Sequence, residues 1–115
     1  MNTQATQILF VDDEPMVLET ISLVFRGWHF KTAVGADAAL KLISEEKFAV
    51  VVSDQRMPDM TGVELLKRVK EQYPETIRIL LTGYSDLDSI IEAINAGEVW
   101  RFINKRGKMI NSEAL

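Results

Sequence analysis

Four short apolar runs in this chain each end at a polar residue with useful chemistry. The runs cover residues 8–11, 50–53, 79–81 and 102–104, and the polar residues that follow or end them are Asp12 with Asp13, Asp54, Thr82 and Lys105. If the runs are parallel strands, their carboxyl ends meet at one edge of a sheet, where open α/β folds place their sites. We therefore expect three carboxylates, a hydroxyl and an ammonium group to converge there.

The remainder of the chain alternates strand and helix patterns without internal repeats. Strands are predicted near 8–11, 30–34, 49–53, 77–82 and 99–103, with helices near 15–26, 36–46, 63–73 and 85–96 between them. Pro58 and Gly62 mark the loop before the third helix. This alternation predicts an α/β fold, a five-stranded parallel sheet with helices on both faces. In the first helix, Val17, Ile21, Val24 and Phe25 recur at the spacing of a buried face. A last helix would begin near Met109, and we expect it to be short or missing.

Composition limits the class of protein further. With 115 residues and 47% hydrophobic residues, the chain fits one domain with a substantial core. It has no cysteine for a disulfide or thiolate site, and its net charge of −4 disfavours direct nucleic-acid binding. No apolar run reaches the roughly 18 residues of a membrane span. The first residues also lack a signal-peptide pattern, so we expect a cytoplasmic protein with no membrane contact.

The polar residues belong to four motifs that together resemble the receiver domain of bacterial two-component response regulators. The motifs cover residues 8–14, 53–62, 81–84 and 102–105. Each motif is weak alone, but their order and spacing make a specific resemblance over essentially the whole chain. The resemblance implies a doubly wound, flavodoxin-like sheet of strand order 2-1-3-4-5. It also implies that residues 1–115 form the N-terminal receiver domain of a longer response regulator.

The resemblance assigns roles to the residues at the predicted edge. Asp54 would be the phosphoacceptor, and Lys105 would neutralise the transferred phosphoryl group. Asp13, Asp54 and the backbone carbonyl of Arg56 would bind Mg²⁺ directly, with Asp12 acting largely through water. Charge supports a cation here independently, since two carboxylates about 4 Å apart repel by roughly 4 kcal/mol at an effective dielectric constant near 20. An all-oxygen set of ligands suits Mg²⁺.

Two further pairs of residues complete the implied mechanism. Thr82 would contact the new phosphoryl group, and Phe102, at the family's aromatic switch position, would turn inward and change the surface of the fourth helix and fifth strand. Arg56 and Tyr84 flank the approach of a hydrolytic water to Asp54. Because both are bulky and neither is placed to orient a water, we expect slow self-dephosphorylation. The chain would then be a phosphoacceptor signalling domain rather than an enzyme.

The resemblance also names partners. The donor would be a phosphohistidine on a sensor histidine kinase or a phosphotransfer protein. A C-terminal output domain would follow in the longer regulator. Residues 82–86 and 96–102 are similar to receivers joined to cyclic-di-nucleotide phosphodiesterases of the HD-GYP type, so this is the output domain we favour. A homodimer is left open.

Two other functions and a purely structural interpretation are alternatives to the receiver function. Haloacid-dehalogenase-like phosphohydrolases also use Mg²⁺ and an aspartyl nucleophile, but they need Asp-x-Asp, whereas Asp12 and Asp13 are adjacent here. A pseudo-receiver would keep the fold as an interaction module without phosphorylation, yet such domains typically lose a residue of the acidic pocket or the lysine. Taken singly, the aspartates are ordinary helix caps, Thr82 a strand-edge hydroxyl and Phe102 a core residue.

One feature departs from the family. The family's lysine usually precedes proline in a cis peptide bond, whereas Arg106 follows Lys105 here. A cis bond before a residue other than proline costs about 2.5–4 kcal/mol. We therefore expect a trans bond and, in the unphosphorylated state, a mobile or displaced loop from Lys105 to Lys108 with Lys105 outside ion-pair distance of Asp54.

Overall fold

The computed structural model describes residues 7–82, 101–104 and 109–110, and at residues 82, 101–104 and 109–110 it describes the backbone alone. The strands are β1 (Ile8–Asp12), β2 (Phe30–Val34), β3 (Val50–Asp54), β4 (Ile77–Thr82), β5 (Arg101–Asn104) and β6 (Met109–Ile110). The helices in the described ranges are α1 (Pro15–Val24), α2 (Ala36–Glu45) and α3 (Gly62–Gln72). The predicted fourth helix falls on residues outside the described ranges.

The strands form one sheet in the order β2-β1-β3-β4-β5-β6. The first five strands pair in parallel, which confirms the predicted order 2-1-3-4-5. The last helix, expected to be short or missing, does not begin at Met109, because Met109 and Ile110 form a short strand that pairs antiparallel with β5. At this position, hydrogen bonding to the free edge of β5 replaces the helical pattern.

The main core lies between the sheet and helices α2 and α3. Alternate strand residues point into it, including Leu9 and Val11 from β1, Val51 from β3 and Leu80 from β4. The two helices supply the opposing apolar residues, which are Ala36, Ala39, Ile43, Leu65, Leu66 and Val69. Burying a Leu or Val side chain fully stabilises the fold by roughly 1.5–3 kcal/mol. This packing fixes the strand ends relative to the starts of both helices.

Helix α1 covers the other face through an aromatic cluster. Phe10 of β1 lies 4.9 Å from Phe25, just beyond the helix, measured between ring centroids. Leu18 is the fully buried residue of α1, whereas Val24, expected to face inward, is 70% exposed. The inward side of the helix is centred between Leu18 and Phe25, and Val24 lies about 120° around the helix from Leu18. In the described part of the chain, no helix combines the length and apolar character needed to cross a membrane.

Candidate functional site

Three carboxylates meet at the carboxyl edge of the sheet, as the sequence predicted. Strands β1 and β3 pair in parallel with Val11 opposite Ser53, so Asp12 and Asp54 end neighbouring strands at the same level. Asp13 follows directly, and carboxylate oxygens of the three residues lie within 4.8 Å of one another. Asp12 and Asp54 are only 1% and 3% exposed, and Asp13 is half-buried. The cluster is therefore largely shielded from solvent, with Asp13 on its open side.

This arrangement suits a hard divalent cation. At such separations a pair of carboxylates repels by roughly 3–4 kcal/mol at an effective dielectric constant near 20. An ion with oxygen ligands relieves that repulsion, and Mg²⁺ typically uses one or two carboxylates while keeping positions for water and phosphate oxygens. Asp12 is held in place for this, since its Oδ1 accepts a hydrogen bond from the Glu14 N–H at 3.0 Å. The donor set thus fits Mg²⁺, and Asp12, Asp13 and Asp54 are the residues that could hold it.

The backbone of Asp54 is fixed by the start of helix α3. The Ser53 hydroxyl donates to the Asp54 carbonyl at 2.9 Å. A Cβ on Gly62 would lie 2.2 Å from that same carbonyl oxygen and 2.8 Å from Leu80 Cδ1. Contacts below 3 Å from backbone atoms require the chain to shift. The glycine therefore allows α3 to pack directly against the residue that carries the central carboxylate.

The loop between Asp54 and helix α3 is held by side chains that accept from the helix start. Gln55 is buried, and its Oε1 accepts from the Val63 N–H at 2.9 Å. The N-cap residue Thr61 accepts from the Glu64 N–H through its hydroxyl at 3.2 Å. The first N–H groups of a helix have no partner within the helix. Here they are used to anchor the residue next to Asp54.

Asp59 ties the same loop to helix α2. Its Oδ2 accepts from the Asp37 N–H at 2.9 Å and its Oδ1 from the Met60 N–H at 3.1 Å. The hydrogen bond from the Asp37 backbone, more than the others, lowers the pKa of Asp59. The N-cap residue of α2 is Gly35, which has no acceptor side chain and a φ of +91°. An acceptor from elsewhere in the chain serves this helix start.

The sequence patterns indicated no role for Gln55 or Asp59. Both lie in a recognised motif, but their partners are backbone N–H groups 8 and 22 residues away. One signal was present for Asp59: Gly35 precedes the predicted second helix and offers no side-chain oxygen to its first turn. The missing cap indicates an acceptor from another segment, although it does not identify which one.

The other predicted residues are described only in part. Leu81 pairs with Asp54, and Thr82, the next residue, pairs with Asn104, so Thr82 stands at the carboxyl end of β4 beside β3. Phe102 pairs with Leu80 along the backbone. The side chains of Thr82 and Phe102 lie outside the described set, and so do Tyr84, Lys105 and the Lys105–Arg106 bond. Arg56 lies in the loop after Asp54 with an exposed side chain.

Known proteins share both the sequence pattern and the fold. The family model of the response regulator receiver domain matches residues 8–112. The hydrogenase transcriptional regulatory protein HoxA of Cupriavidus necator is 35% identical over 106 residues, which cover 91% of this chain and 22% of HoxA. The chain thus spans about a fifth of the length of such curated relatives.

Two solved structures extend the comparison to three dimensions. The signal receiver domain of an HD domain-containing protein from Pseudomonas fluorescens Pf-5 is 36% identical, with a TM-score of 0.83 over 90% of this chain and 84% of that one. The response regulator TrrA from Thermotoga maritima, solved in complex with Mg²⁺-BeF, is 28% identical, with a TM-score of 0.75 over 87% of this chain and 86% of that one.

Proposed function

The chain belongs to the response regulator receiver domain family, a family of signalling domains in two-component systems, and from that premise we propose that Asp54 is its phosphoacceptor. The observation that carries this proposal is the cluster of Asp12, Asp13 and Asp54 at the carboxyl edge of the sheet. Asp54 ends the central strand β3 and lies between the other two carboxylates and β4. An incoming phosphoryl group would approach it from the open side, where Asp13 is half-exposed.

The proposed reaction transfers a phosphoryl group from a phosphohistidine to Asp54. A carboxylate oxygen of Asp54 forms a bond to phosphorus while the bond from phosphorus to the histidine nitrogen breaks, and that nitrogen keeps the electron pair. The product is an acyl phosphate on Asp54. When bound, Mg²⁺ neutralises charge on the phosphoryl oxygens. Asp13, Asp54 and the backbone carbonyl of Arg56 would bind the ion directly, and Asp12 would act largely through water. Lys105 would supply a second positive charge.

We further propose that Thr82 and Phe102 convert this modification into a change of surface. Thr82 stands at the carboxyl end of β4, one residue beyond the partner of Asp54. Its hydroxyl would reach a phosphoryl oxygen, and Phe102 on the next strand would fill the space it leaves. The affected surface would include β5, which pairs directly with β4. This is a local charge change that biases a two-state element.

Arg56 and Tyr84 are proposed to slow hydrolysis of the acyl phosphate. Their positions, two residues after Asp54 and after Thr82, flank the path of a water in line with the phosphorus. The variant carrying both Arg56→Asn and Tyr84→Glu should therefore lose its phosphoryl group faster than the parent. Decay of radiolabelled protein after removal of the donor measures this, and equal or slower decay would remove both residues from the proposal.

For the whole protein, we propose a longer response regulator in which this chain is the N-terminal receiver domain. Its partner would be a sensor histidine kinase or a phosphotransfer protein, and it would be located in the cytoplasm. An HD-type output domain is supported by the similarity to the receiver of an HD domain-containing protein. The curated relatives are instead named as transcriptional regulatory proteins. The coding sequence after Leu115 distinguishes these outputs by an HD motif or a DNA-binding motif.

The decisive experiment incubates the purified domain with Mg²⁺ and acetyl phosphate, followed by intact-mass measurement and peptide mapping. We expect one phosphoryl group on Asp54, none without Mg²⁺, and none in Asp54→Asn. The matched control is Asp37→Asn, which removes an exposed carboxylate in the first turn of α2 and should be phosphorylated like the parent.

The same experiment separates the alternative functions. Continuous release of inorganic phosphate well beyond one equivalent per protein would indicate a phosphohydrolase. The absence of any phosphorylated protein would indicate an interaction module without phosphorylation. Undiminished phosphorylation of Asp54→Asn would show that another residue is the acceptor.

A further inference from the structure

The start of helix α2 is a junction between the two segments that form the acidic cluster. From one side, the Gly35 N–H donates to the Asp12 carbonyl at 2.9 Å, so the end of β1 is bound to the residue before the helix. From the other side, Asp59 accepts from the Asp37 N–H, also at 2.9 Å. Asp59 belongs to the loop that begins at Asp54. The first turn of α2 therefore contacts both segments directly.

This junction joins to α2 a loop whose two ends are bound to α3. Near its start, Gln55 is bound to helix α3 through Val63, and at its end Thr61 caps the same helix. Between these ends, Met57 is buried in the core, whereas the neighbouring Arg56, Pro58 and Asp59 are exposed. Asp59 connects this part of the loop to α2 by a hydrogen bond. Loops with exposed backbone open easily unless such contacts hold them. Arg56, whose carbonyl is a proposed ligand, lies in this span.

We propose that Asp59 is a positioning residue for the metal and phosphoryl site, acting by fastening the loop after Asp54 to the start of α2. Through Gly35, the same helix start is bound to Asp12. Asp59 therefore ties the loop that follows Asp54 to the segment that follows Asp12, beyond the end of the pairing between β1 and β3. The consequence for Mg²⁺ rests on the function proposed above, whereas the tether itself does not.

The charge of Asp59 suits this task. A carboxylate at a helix N-terminus is stabilised by the unpaired N–H groups and by the helix dipole. Backbone donors lower the pKa of Asp59, with the Asp37 N–H as the largest cause. The group therefore stays ionised at neutral pH and available as an acceptor for the start of α2.

The test uses Asp59→Ala, Asp59→Asn and the control Asp37→Ala. Both alanine variants remove one carboxylate at the start of α2, but Asp37→Ala keeps the backbone N–H that Asp59 contacts. Mg²⁺ affinity is measured by calorimetry on the metal-free proteins at a temperature where circular dichroism shows all of them folded. Hydrogen exchange of the residue-37 amide, measured without Mg²⁺, reports on the tether itself.

Asp59→Ala should weaken Mg²⁺ binding about tenfold, the lower end of the range for residues that support metal ligands. Its residue-37 amide should exchange faster. Asp59→Asn keeps an acceptor oxygen and should restore most of the affinity, and Asp37→Ala should bind Mg²⁺ within about twofold of the parent.

Two results would overturn the inference, and they are distinguishable from each other. If the parent binds Mg²⁺ and Asp59→Ala binds it equally well while being less stable, Asp59 is a structural cap and the proposed function stands. If the parent itself binds no Mg²⁺ and is not phosphorylated, the proposed function fails and the positioning role fails with it.

Discussion

The two edges of the sheet are built in opposite ways. At the carboxyl edge, three carboxylates lie close together, and the loop beside them is tied by hydrogen bonds to the starts of two helices. At the amino edge, the same two helices end, and a cavity of about 580 Å³ opens beside residues such as Phe48 and Ile77. The first edge brings like charges together within a network of hydrogen bonds; the second borders a cavity.

Charges at the amino edge are instead paired and exposed. Lys31 on β2 forms an ion pair with Glu46, whose other oxygen accepts from Gln7 at 3.2 Å. The Lys31 and Glu46 side chains are 46% and 30% exposed, so solvent partly screens their attraction. The closest backbone packing is therefore found at the carboxyl edge, where the three carboxylates are held together. Substitutions should therefore cost most at the carboxyl edge.

The largest effect is expected from the glycine that faces Asp54. Gly62→Ala would place a methyl group 2.2 Å from the Asp54 carbonyl oxygen. Since backbone must move to relieve this, we expect a loss of about 3 kcal/mol or more in the free energy of unfolding, at the upper end of overpacking costs. Urea unfolding measures it.

The matched control is Gly27→Ala in the turn after α1. Gly27 has a φ of +94°, but nothing lies within 4 Å of the position that an added methyl group would take. Its cost should be only that of the left-handed backbone, about 1–2 kcal/mol. Equal losses in the two variants would contradict the claim that close packing is concentrated at the carboxyl edge.

A smaller loss is expected at Gln55. Gln55→Met keeps the shape of the side chain but removes the oxygen that accepts from the Val63 N–H. Because Gln55 is buried, that donor would lose its partner, at a cost of about 1–3 kcal/mol. Gln72→Met, at the exposed end of the same helix, should change stability by less than about 0.5 kcal/mol. A similar small change at both positions would show that the loop does not depend on Gln55.

The smallest effect is expected at the amino edge. The hydrogen bond from Lys31 is the largest cause that lowers the pKa of Glu46 below its usual 4.5. A depressed carboxyl pKa contributes stability above the unfolded-state value and loses it as pH falls through the folded-state value. Lys31→Met should therefore raise the pKa of Glu46, which an NMR titration measures. The free energy of unfolding should then fall slightly less as the pH is lowered through this range. An unchanged pKa would mean that the pair does not persist in solution.

Much of the carboxyl edge followed from local sequence patterns. Apolar runs ending at Asp12 and Asp54 predicted parallel strands whose carboxyl ends meet, and the structure confirms their proximity. Pro15 marked the start of α1 correctly, since proline is tolerated in the first helical turn. Such signals lie within a few residues of the feature they predict.

The features that sequence patterns missed depend on distant partners. Asp59 contacts a backbone N–H 22 residues away, so no local pattern reveals it. Gly62 was seen as a loop residue, because its approach to Asp54 exists only once α3 packs on the sheet. The short strand at Met109 and Ile110 was not predicted either, because it depends on pairing with the edge of β5. In each case tertiary contacts determine the outcome.

The central claim is that like charges are held together at the carboxyl edge to bind a cation. The most direct test is the difference in unfolding free energy between the parent and Asp54→Asn. Unfolding free energies of the parent and Asp54→Asn are measured with a chelator and again with excess Mg²⁺. Without the ion, Asp54→Asn should be more stable by about 1–3 kcal/mol because it relieves carboxylate repulsion. With Mg²⁺ at about 100 times its dissociation constant, the parent should gain about 2.7 kcal/mol and the difference should shrink or reverse. A difference unaffected by Mg²⁺ would contradict the account.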